Sequence, residues 1–505
     1  MKNNNQLTGN EETIGENCFN NTVDSEELKN KSKFGFIWKL FEKSGVQIAS
    51  MVIQIVLARL LLPDDYGIIA YLTLFINLSD VFIKQGLTTA LIQKKNSDDK
   101  DFSSVFYANI VFSVLLYAIL YFSAPYVSIF YNEPRLTSVM RILSLQVVIG
   151  ALGSVHEAIM SRNLQFKKSF IRGLANIIVY GASGIAFAYL GLGVWALVYG
   201  RLCGLFVGMV VLWITVRWRP KLIFSMNRLK GLFSFGSKVL GTNLLNTLFN
   251  DINSLIIGRN YSSADLAQYQ RGQNIPQTMM VSIDGSINEV MYPTFSKLQD
   301  DVDSLKKALR RAIKLSIYIV LPCLIGLLAV AEPLTLLLLT EKWLPSVPYM
   351  QLTCLICMFW PLSSQKHALN ALGKSSVTFK MSLIVRVITL AFLLVLIKFG
   401  IIYIMLGTIF VSIIDVLITS FFTKKYINYS LKNLICDLFP TLFITAVMGI
   451  VVYLVNYLNL SPIISLIIQI PVGVVIYLAL SAIFKIDSFS YFLNTIKEIL
   501  RKKTK

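Results

Sequence analysis

Apolar stretches of about 20 residues, the length of a membrane-crossing helix, recur along almost all of this 505-residue chain. Inside a bilayer every backbone N–H and C=O must be hydrogen-bonded within the protein, so spanning segments are helices or closed barrels. Charged residues make up 15% of the chain and apolar residues 55%, whereas a typical soluble domain has about 25% charge. The sequence therefore predicts an all-α membrane protein.

The apolar stretches predict about fourteen transmembrane helices, which we number as spans 1 to 14. Their predicted limits are 36–61, 66–90, 102–128, 136–160, 170–190, 194–216, 232–257, 265–292, 312–331, 346–370, 378–397, 401–423, 434–457 and 462–484. Between them, the gaps after even-numbered spans hold most of the Lys and Arg residues. The gaps after odd-numbered spans hold only Arg135, Arg259, Lys342 and Lys398. Because positively charged short loops stay in the cytoplasm, both termini are expected there, and the net charge of +19 indicates topology and not nucleic-acid binding.

An internal repeat suggests how the spans are organised. The stretch ARLLLPDDYGIIAY from Ala58 aligns without gaps with GRNYSSADLAQYQR from Gly258, which places Asp65 on Asp265. A weaker pair precedes Gly191 and Gly400. We therefore expect two six-helix bundles in parallel pseudo-repeat around a central cavity, plus two C-terminal helices, an arrangement known in transporters. The predicted divisions are a disordered cytosolic tail (1–33), the N-terminal half (36–216), the C-terminal half (232–423), two additional helices (434–484) and a basic cytosolic tail (485–505).

Several ionisable residues lie inside predicted spans, where each costs about 2.5–3.5 kcal/mol at the bilayer centre. Asp80 and Lys84 are four residues apart on one helix, so they can neutralise each other. Those near span ends can extend to the surface; they are Arg141, Arg271, Asp284, Glu289 and Lys366. Those deeper in their spans are expected to face a polar interior; they are Arg201, Lys238, Asp251, Arg386 and Asp415.

These charges predict the kind of cargo. The ionisable groups in spans 2, 4 and 6 are mostly basic, which suits an anionic substrate such as a phosphate or diphosphate. The candidate substrate-binding residues are Arg201, Arg271, Lys238, Arg386, Arg141 and Lys84. Asp251 and Asp415 are candidates for coupling to Na⁺ or H⁺. We expect no cofactor and no resident metal, because His156 and His367 are the only histidines and the pair Cys354-x-x-Cys357 stands among apolar residues.

Several short stretches carry a resemblance to a known family; they are Ala58-Arg59-Leu60-Leu61 with Pro63, Gly86, Ala90 to Gln93, Asn250-Asp251, Gly258-Arg259 and Met291-Tyr292-Pro293. In these stretches the sequence resembles the polysaccharide-exporting flippases of the MOP superfamily, often called Wzx-type or O-antigen and teichuronic-acid exporters. Members usually have Leu-Gly where this chain has Leu266-Ala267.

The resemblance implies two helix bundles around a V-shaped cavity. It also implies movement of an undecaprenyl-diphosphate-linked oligosaccharide from the cytoplasmic to the outer leaflet, without hydrolysis, for surface polysaccharide synthesis. On the same basis Arg201, Arg271 and Asp251 are the preferred functional residues. The expected location is the bacterial cytoplasmic membrane, and the expected partners are the lipid-linked glycan, the bilayer, and a polymerase and glycosyltransferases of the same route.

Two alternatives remain open from the sequence. A cation-coupled drug exporter would share the fold but favour acidic groups for cationic cargo. A membrane polymerase or ligase would be an enzyme, and it usually needs a larger external loop than this chain offers.

Overall fold

A computed structural model describes residues 45–94, 96–458, 460–486 and 488–489. Within these ranges every regular element is a helix, so the predicted all-α class is confirmed. The predicted N-terminal tail (1–33) and most of the C-terminal tail (485–505) lie outside the described residues.

The described helices follow one another with short connections. They are α1 (Gly45–Leu60), α2 (Pro63–Lys84), α3 (Leu87–Gln93), α4 (Asp99–Tyr131), α5 (Arg135–Leu143), α6 (Leu145–Arg162), α7 (Phe166–Tyr189), α8 (Val194–Thr215), α9 (Met226–Asn260), α10 (Ser263–Lys297), α11 (Val302–Ala329), α12 (Ala331–Leu339), α13 (Val347–Cys357), α14 (Ser364–Ala371), α15 (Ser375–Leu396), α16 (Ile401–Ile427), α17 (Leu431–Leu454) and α18 (Pro462–Ile483). Short 3₁₀ turns cover Glu341–Ser346, Trp360–Ser363 and Val455–Leu458.

All fourteen predicted spans contain helix, but they do not all have the character of a lipid-facing span. In the described part of the chain, ten helical segments are long and apolar enough to cross a membrane, so the protein is a multi-pass membrane protein. The other four predicted spans correspond to α1, to α9 and α10, and to the segment 346–370. The exact count of fourteen therefore stays a prediction.

Helices α9 and α10 are long but polar. Each has 35 residues, about 52 Å at 1.5 Å per residue, which exceeds a hydrocarbon core of about 30 Å. Their polar residues include Asn246, Asn250 and Asp251 on α9, and Gln270 and Gln273 on α10. Helices of this composition are suited to a polar interior and not to contact with lipid on all sides.

Predicted span 10 is not one helix. Helices α13 and α14 are separated by the 3₁₀ turn Trp360–Ser363, which contains Pro361. Proline has no backbone N–H to donate and restricts the residue before it, so the α-helix ends in front of it. The segment predicted as span 10 is therefore interrupted between α13 and α14.

The two repeat stretches have the same local geometry. Helices α2 and α10 begin 200 residues apart, at Pro63 and Ser263. In both, the third residue accepts a hydrogen bond from the backbone N–H at the helix cap, with Asp65 bonded to Leu62 (3.1 Å) and Asp265 to Ser262 (3.2 Å). An acidic side chain here satisfies a free N–H and interacts favourably with the helix dipole.

Helices α7 and α8 pack closely at glycines of α8. A β-carbon on Gly200 would stand 3.0 Å from the Cα of Gly184, and one on Gly204 would stand 2.7 Å from the carbonyl oxygen of Asn176. Glycine on this face lets α8 and α7 approach at backbone distance.

The last two helices pack on α11. The carboxylate of Asp437 on α17 is buried and accepts two hydrogen bonds from Arg310 at 2.6 Å and one from the Tyr429 hydroxyl at 3.1 Å. The Tyr477 hydroxyl on α18 donates to the carbonyl of Tyr318 on α11 at 2.7 Å. An apolar groove of about 620 Å³ lies between α11, α17 and α18.

Candidate functional site

The two predicted halves meet where α1 and α9 end and α2 and α10 begin. The hydroxyl of Ser263 on α10 donates to the carboxylate of Asp64 on α2, which also accepts from Arg135 at 2.7 Å. Gly67 lies so close to Ser263 that a β-carbon there would overlap the Ser263 backbone. We call these contacts of Asp64 and Gly67 with Ser263 the closure. The loop charges predict that it lies on the outer face.

A second set of contacts reinforces this end of the molecule. The indole Nε1 of Trp343 donates to the carbonyl of Ala58 at 2.9 Å, and the Lys342 ammonium donates to the carbonyl of Leu61 at 2.6 Å. The Arg59 guanidinium donates to the carbonyl of Leu338 at 2.9 Å. The end of α1 is therefore held by the last residues of α12 and by the 3₁₀ turn that follows it.

Arg271 lies against two aromatic side chains beside the closure. Its guanidinium is 4.8 Å from the ring centre of Tyr66 and 5.0 Å from that of Trp343. The two rings are themselves edge to face, with centres 5.5 Å apart. A cation over aromatic faces is stabilised by the ring quadrupoles, so this arginine is retained inside the protein without a carboxylate partner being needed.

Arg201 and Arg271 lie around the same tyrosine. The hydroxyl of Tyr180 on α7 is within electrostatic range of both guanidinium groups. Arg201 belongs to α8 in the predicted N-terminal half and Arg271 to α10 in the predicted C-terminal half. Two of the candidate substrate-binding residues, one from each predicted half, are thus within electrostatic range of one tyrosine.

Asp251 lies between α9 and α2. Its carboxylate accepts a hydrogen bond from the Asn77 amide at 2.8 Å. Both residues line a cavity of about 300 Å³, the α2–α9 cavity, which Asp80, Lys84 and Asn250 also line. The Lys84 ammonium is 2.9 Å from the Asp80 carboxylate, which confirms the predicted pairing on one helix.

Asp415 lies elsewhere. Its two carboxylate oxygens are each 2.8 Å from the Lys366 ammonium. This pair lines a second cavity of about 300 Å³, the α10–α16 cavity, together with Asp284. Asp251 and Asp415 therefore line different cavities and do not form a two-carboxylate site together. Lys366, expected to extend to the surface, is instead paired with Asp415.

The remaining candidates are spread over the protein. Arg386 on α15 donates to the Asn246 side chain on α9 at 2.8 Å and stacks over Phe249. Arg141 lies 4.4 Å from the ring centre of Tyr121. Lys238 is on an exposed part of α9. The structure does not gather these three around Tyr180.

Sequence reasoning did not identify the residues that interact with the candidate charged side chains. Tyr66, Tyr180 and Trp343 surround the arginines, and Asn77 binds Asp251. The sequence signal for them is weak, because tyrosine and tryptophan are also common at the ends of ordinary transmembrane helices. Only the packing of α2, α7 and α10 identifies them.

The names of two similar proteins refer to the biosynthesis of succinoglycan and of teichuronic acid. The chain is 25% identical over 356 residues to the succinoglycan biosynthesis transport protein ExoT of Rhizobium meliloti (strain 1021), covering 70% of this chain and 72% of that protein. It is 25% identical over 389 residues to the teichuronic acid biosynthesis protein TuaB of Bacillus subtilis (strain 168), covering 74% and 78%.

Solved structures share the fold. The lipid II flippase MurJ in an inward closed conformation superposes with a TM-score of 0.71 at 18% identity, covering 89% of this chain and 98% of that one. An inward-facing multidrug resistance MATE family transporter of the MOP superfamily superposes with a TM-score of 0.58 at 13% identity, covering 77% and 98%.

The family model described as polysaccharide biosynthesis protein matches residues 56–348. This range contains the repeat, the closure, both arginines around Tyr180 and Asp251. The predicted resemblance to the polysaccharide exporters is confirmed, and the chain belongs to the polysaccharide biosynthesis protein family.

Proposed function

We propose that this protein is a flippase that moves a polyprenyl-diphosphate-linked oligosaccharide from the cytoplasmic to the outer leaflet of the bacterial cytoplasmic membrane. The cargo crosses whole, with no bond made or broken, and is then used for surface polysaccharide synthesis. The distribution of Lys and Arg over the loops supports a cytoplasmic location for both termini. Family membership and the names of the relatives support this assignment.

The proposal rests on Arg201 and Arg271, which are both within electrostatic range of Tyr180. A diphosphate is strongly hydrated and cannot enter hydrocarbon without compensating charge. Arginine binds phosphate oxygens through paired N–H groups, and here one arginine comes from each half. A diphosphate held between them would link the two halves, so its binding and release can be coupled to their relative movement.

Alternating access would then proceed by opening the closure. In the present structure the N-termini of α2 and α10 are in contact, and α9 packs against α2. Separation of Gly67 from Ser263 would open a path at that end, while the polyprenyl chain stays in lipid. Because the cell interior is negative, outward movement of an anionic head is assisted by about 2.3 kcal/mol per charge per 100 mV.

Coupling to Na⁺ or H⁺ is part of the proposal, and Asp251 is the preferred site. Its carboxylate lies between α9 and α2, with one hydrogen bond to Asn77. A group that contacts both halves can bind an ion in one arrangement of the halves and lose it in the other. A polymerase and glycosyltransferases are the proposed partners that use and supply the cargo.

A drug exporter is the second candidate. The fold likeness to the MATE transporter and the carboxylates Asp251, Asp284 and Asp415 on the two cavities favour it. Both cavities also contain a lysine, which makes them less suited to a cationic drug.

Reconstituted vesicles distinguish these candidates. A polyprenyl-diphosphate oligosaccharide is supplied on one leaflet, and a lectin that cannot cross the membrane detects it on the other. Protein-dependent appearance of glycan of unchanged length, lost in Arg201→Ala at a normal protein level, supports the flippase. A lengthened glycan would identify a polymerase, and efflux of cationic dyes without glycan movement would identify a drug exporter.

A further inference from the structure

We infer that the α10–α16 cavity is a subsite for a neutral sugar unit of the cargo, an inference that rests on the proposed function. The cavity lies within the predicted C-terminal half, and its walls come from α10, the 3₁₀ turn at Trp360, α14 and α16. Its volume of about 300 Å³ is at the lower end of the range for small-molecule sites, about 300–1,000 Å³.

Two buried polar side chains on this cavity have unused hydrogen-bonding groups. Gln365 is 0% exposed, and its Nε2 has no partner among the described residues, while its Oε1 accepts from Thr423 at 3.0 Å. Thr419 is 3% exposed, and its hydroxyl also has no partner there. Buried polar groups are nearly always hydrogen-bonded, so this pair indicates a polar ligand.

The charges on the cavity argue against phosphate. Two carboxylates and one ammonium line it, so a phosphate would meet a net negative charge. The Lys366 ammonium already contacts both oxygens of Asp415, so that carboxylate is neutralised by the protein itself. Asp284 accepts from Asn288 at 2.8 Å, and the Ser316 side chain on α11 is also within hydrogen-bonding range of this carboxylate. A neutral ligand that donates hydrogen bonds fits these groups best.

A sugar matches the hydrogen-bonding groups that line this cavity. Each sugar hydroxyl both donates and accepts, so it needs acceptors, donors and groups that do both. The Asp284 carboxylate accepts, the Gln365 Nε2 donates, and the hydroxyls of Thr419 and Ser363 do either. Trp360 adds an aromatic surface for the C–H face of a sugar ring.

The internal repeat shows that the two halves differ in charge at the position of Asp284. Asp284 on α10 is the repeat equivalent of Lys84 on α2, because each stands 21 residues after the first residue of its helix, Ser263 or Pro63. Lys84 lines the α2–α9 cavity and Asp284 the α10–α16 cavity. At this repeat position one half thus has a basic group and the other an acidic one, while each cavity as a whole is lined by two carboxylates and one lysine.

Binding can be measured without transport. Purified protein in lipid nanodiscs is titrated with the free oligosaccharide cleaved from the lipid-linked donor, and tryptophan fluorescence is followed. Comparison with Trp360→Phe identifies the part of the fluorescence change that comes from the tryptophan on this cavity. We expect a saturable change whose affinity falls about tenfold in Thr419→Val and in Asp284→Asn, since each loses one strong hydrogen bond. Thr408→Val is the matched control on α16, because its hydroxyl bonds to Ile404 within the same helix, and it should bind as the wild type does.

Sodium chloride and inorganic pyrophosphate are the comparison probes. A response to either one, with none to the oligosaccharide, would overturn the sugar assignment in favour of a cation or phosphate site. The sugar assignment would also be overturned if both variants bound the oligosaccharide as tightly as the wild type. It would be overturned as well if the wild type translocated the lipid-linked glycan but did not bind the free oligosaccharide. Binding without any translocation by the wild type would instead count against the proposed function alone. Thermal unfolding of each variant checks folding, and Ser363→Ala replaces any variant that does not fold.

Discussion

The backbone of Ser263 occupies the space that a side chain at Gly67 would need. This contact joins the start of α10 to the start of α2, and the Ser263 hydroxyl also binds the neighbouring Asp64. Glycine is therefore required at position 67 for the two predicted halves to meet at this end.

Gly67→Ala should weaken the closure. Overpacking of a tight contact costs about 1–3 kcal/mol, which would lower the population of the closed form about 5- to 150-fold. Translocation in vesicles should fall, with the protein still in the membrane. Gly285→Ala on α10 is the control, because a β-carbon there meets open space, and equal loss in both variants would contradict a role for the closure.

A disulfide across the closure should stop transport reversibly. Asp64 and Ser263 are hydrogen-bonded side chains, so Asp64→Cys with Ser263→Cys should crosslink under mild oxidation. If the closure must open in each cycle, translocation should cease on oxidation and recover with reductant. Each single cysteine variant serves as the control. Full activity in the crosslinked protein would show that this end stays closed throughout the cycle.

Arg271→Ala should reduce translocation about tenfold or more, as expected when a charge-assisted contact to the cargo is lost. Arg271→Lys should restore only part of the activity, because lysine keeps the charge but lacks the planar group that lies over Tyr66 and Trp343. Lys398→Ala, in the turn between α15 and α16, controls for loss of any positive charge. Full rescue by lysine would argue for charge alone.

Asp437→Asn should destabilise the attachment of α17. The buried carboxylate binds Arg310 and Tyr429, and hydrogen bonds to a charged group are worth about 1.5–3 kcal/mol. A lower thermal unfolding temperature in detergent is expected. The neighbouring Cys436 is exposed, so Cys436→Ser should unfold like the wild type. An unchanged temperature for Asp437→Asn would mean that apolar contacts alone hold α17.

Acidification should weaken the contacts of the loop before α5. The hydrogen bond from Arg135 lowers the pKa of Glu133 below its usual range. A carboxylate with a lowered pKa stabilises the fold above the unfolded pKa, about 4.3 for Glu, and this stabilisation is lost as the pH falls through the folded pKa. Thermal stability should therefore fall between about pH 5 and pH 3, and less so in Glu133→Gln. The same fall in both proteins would place the titration elsewhere.

The sequence by itself determined the all-helical membrane class, the approximate limits of the helices, the repeat between Asp65 and Asp265, and the pairing of Asp80 with Lys84. These features depend on local periodicity, on hydrophobic length and on neighbours within one helix, all of which can be read along the chain. The grouping of Arg201 with Arg271, the separation of Asp251 from Asp415, and the pairing of Lys366 with Asp415 were decided by tertiary structure alone. Each depends on how helices far apart in sequence rotate and pack, and the position of a charge along a span does not specify which neighbour it faces.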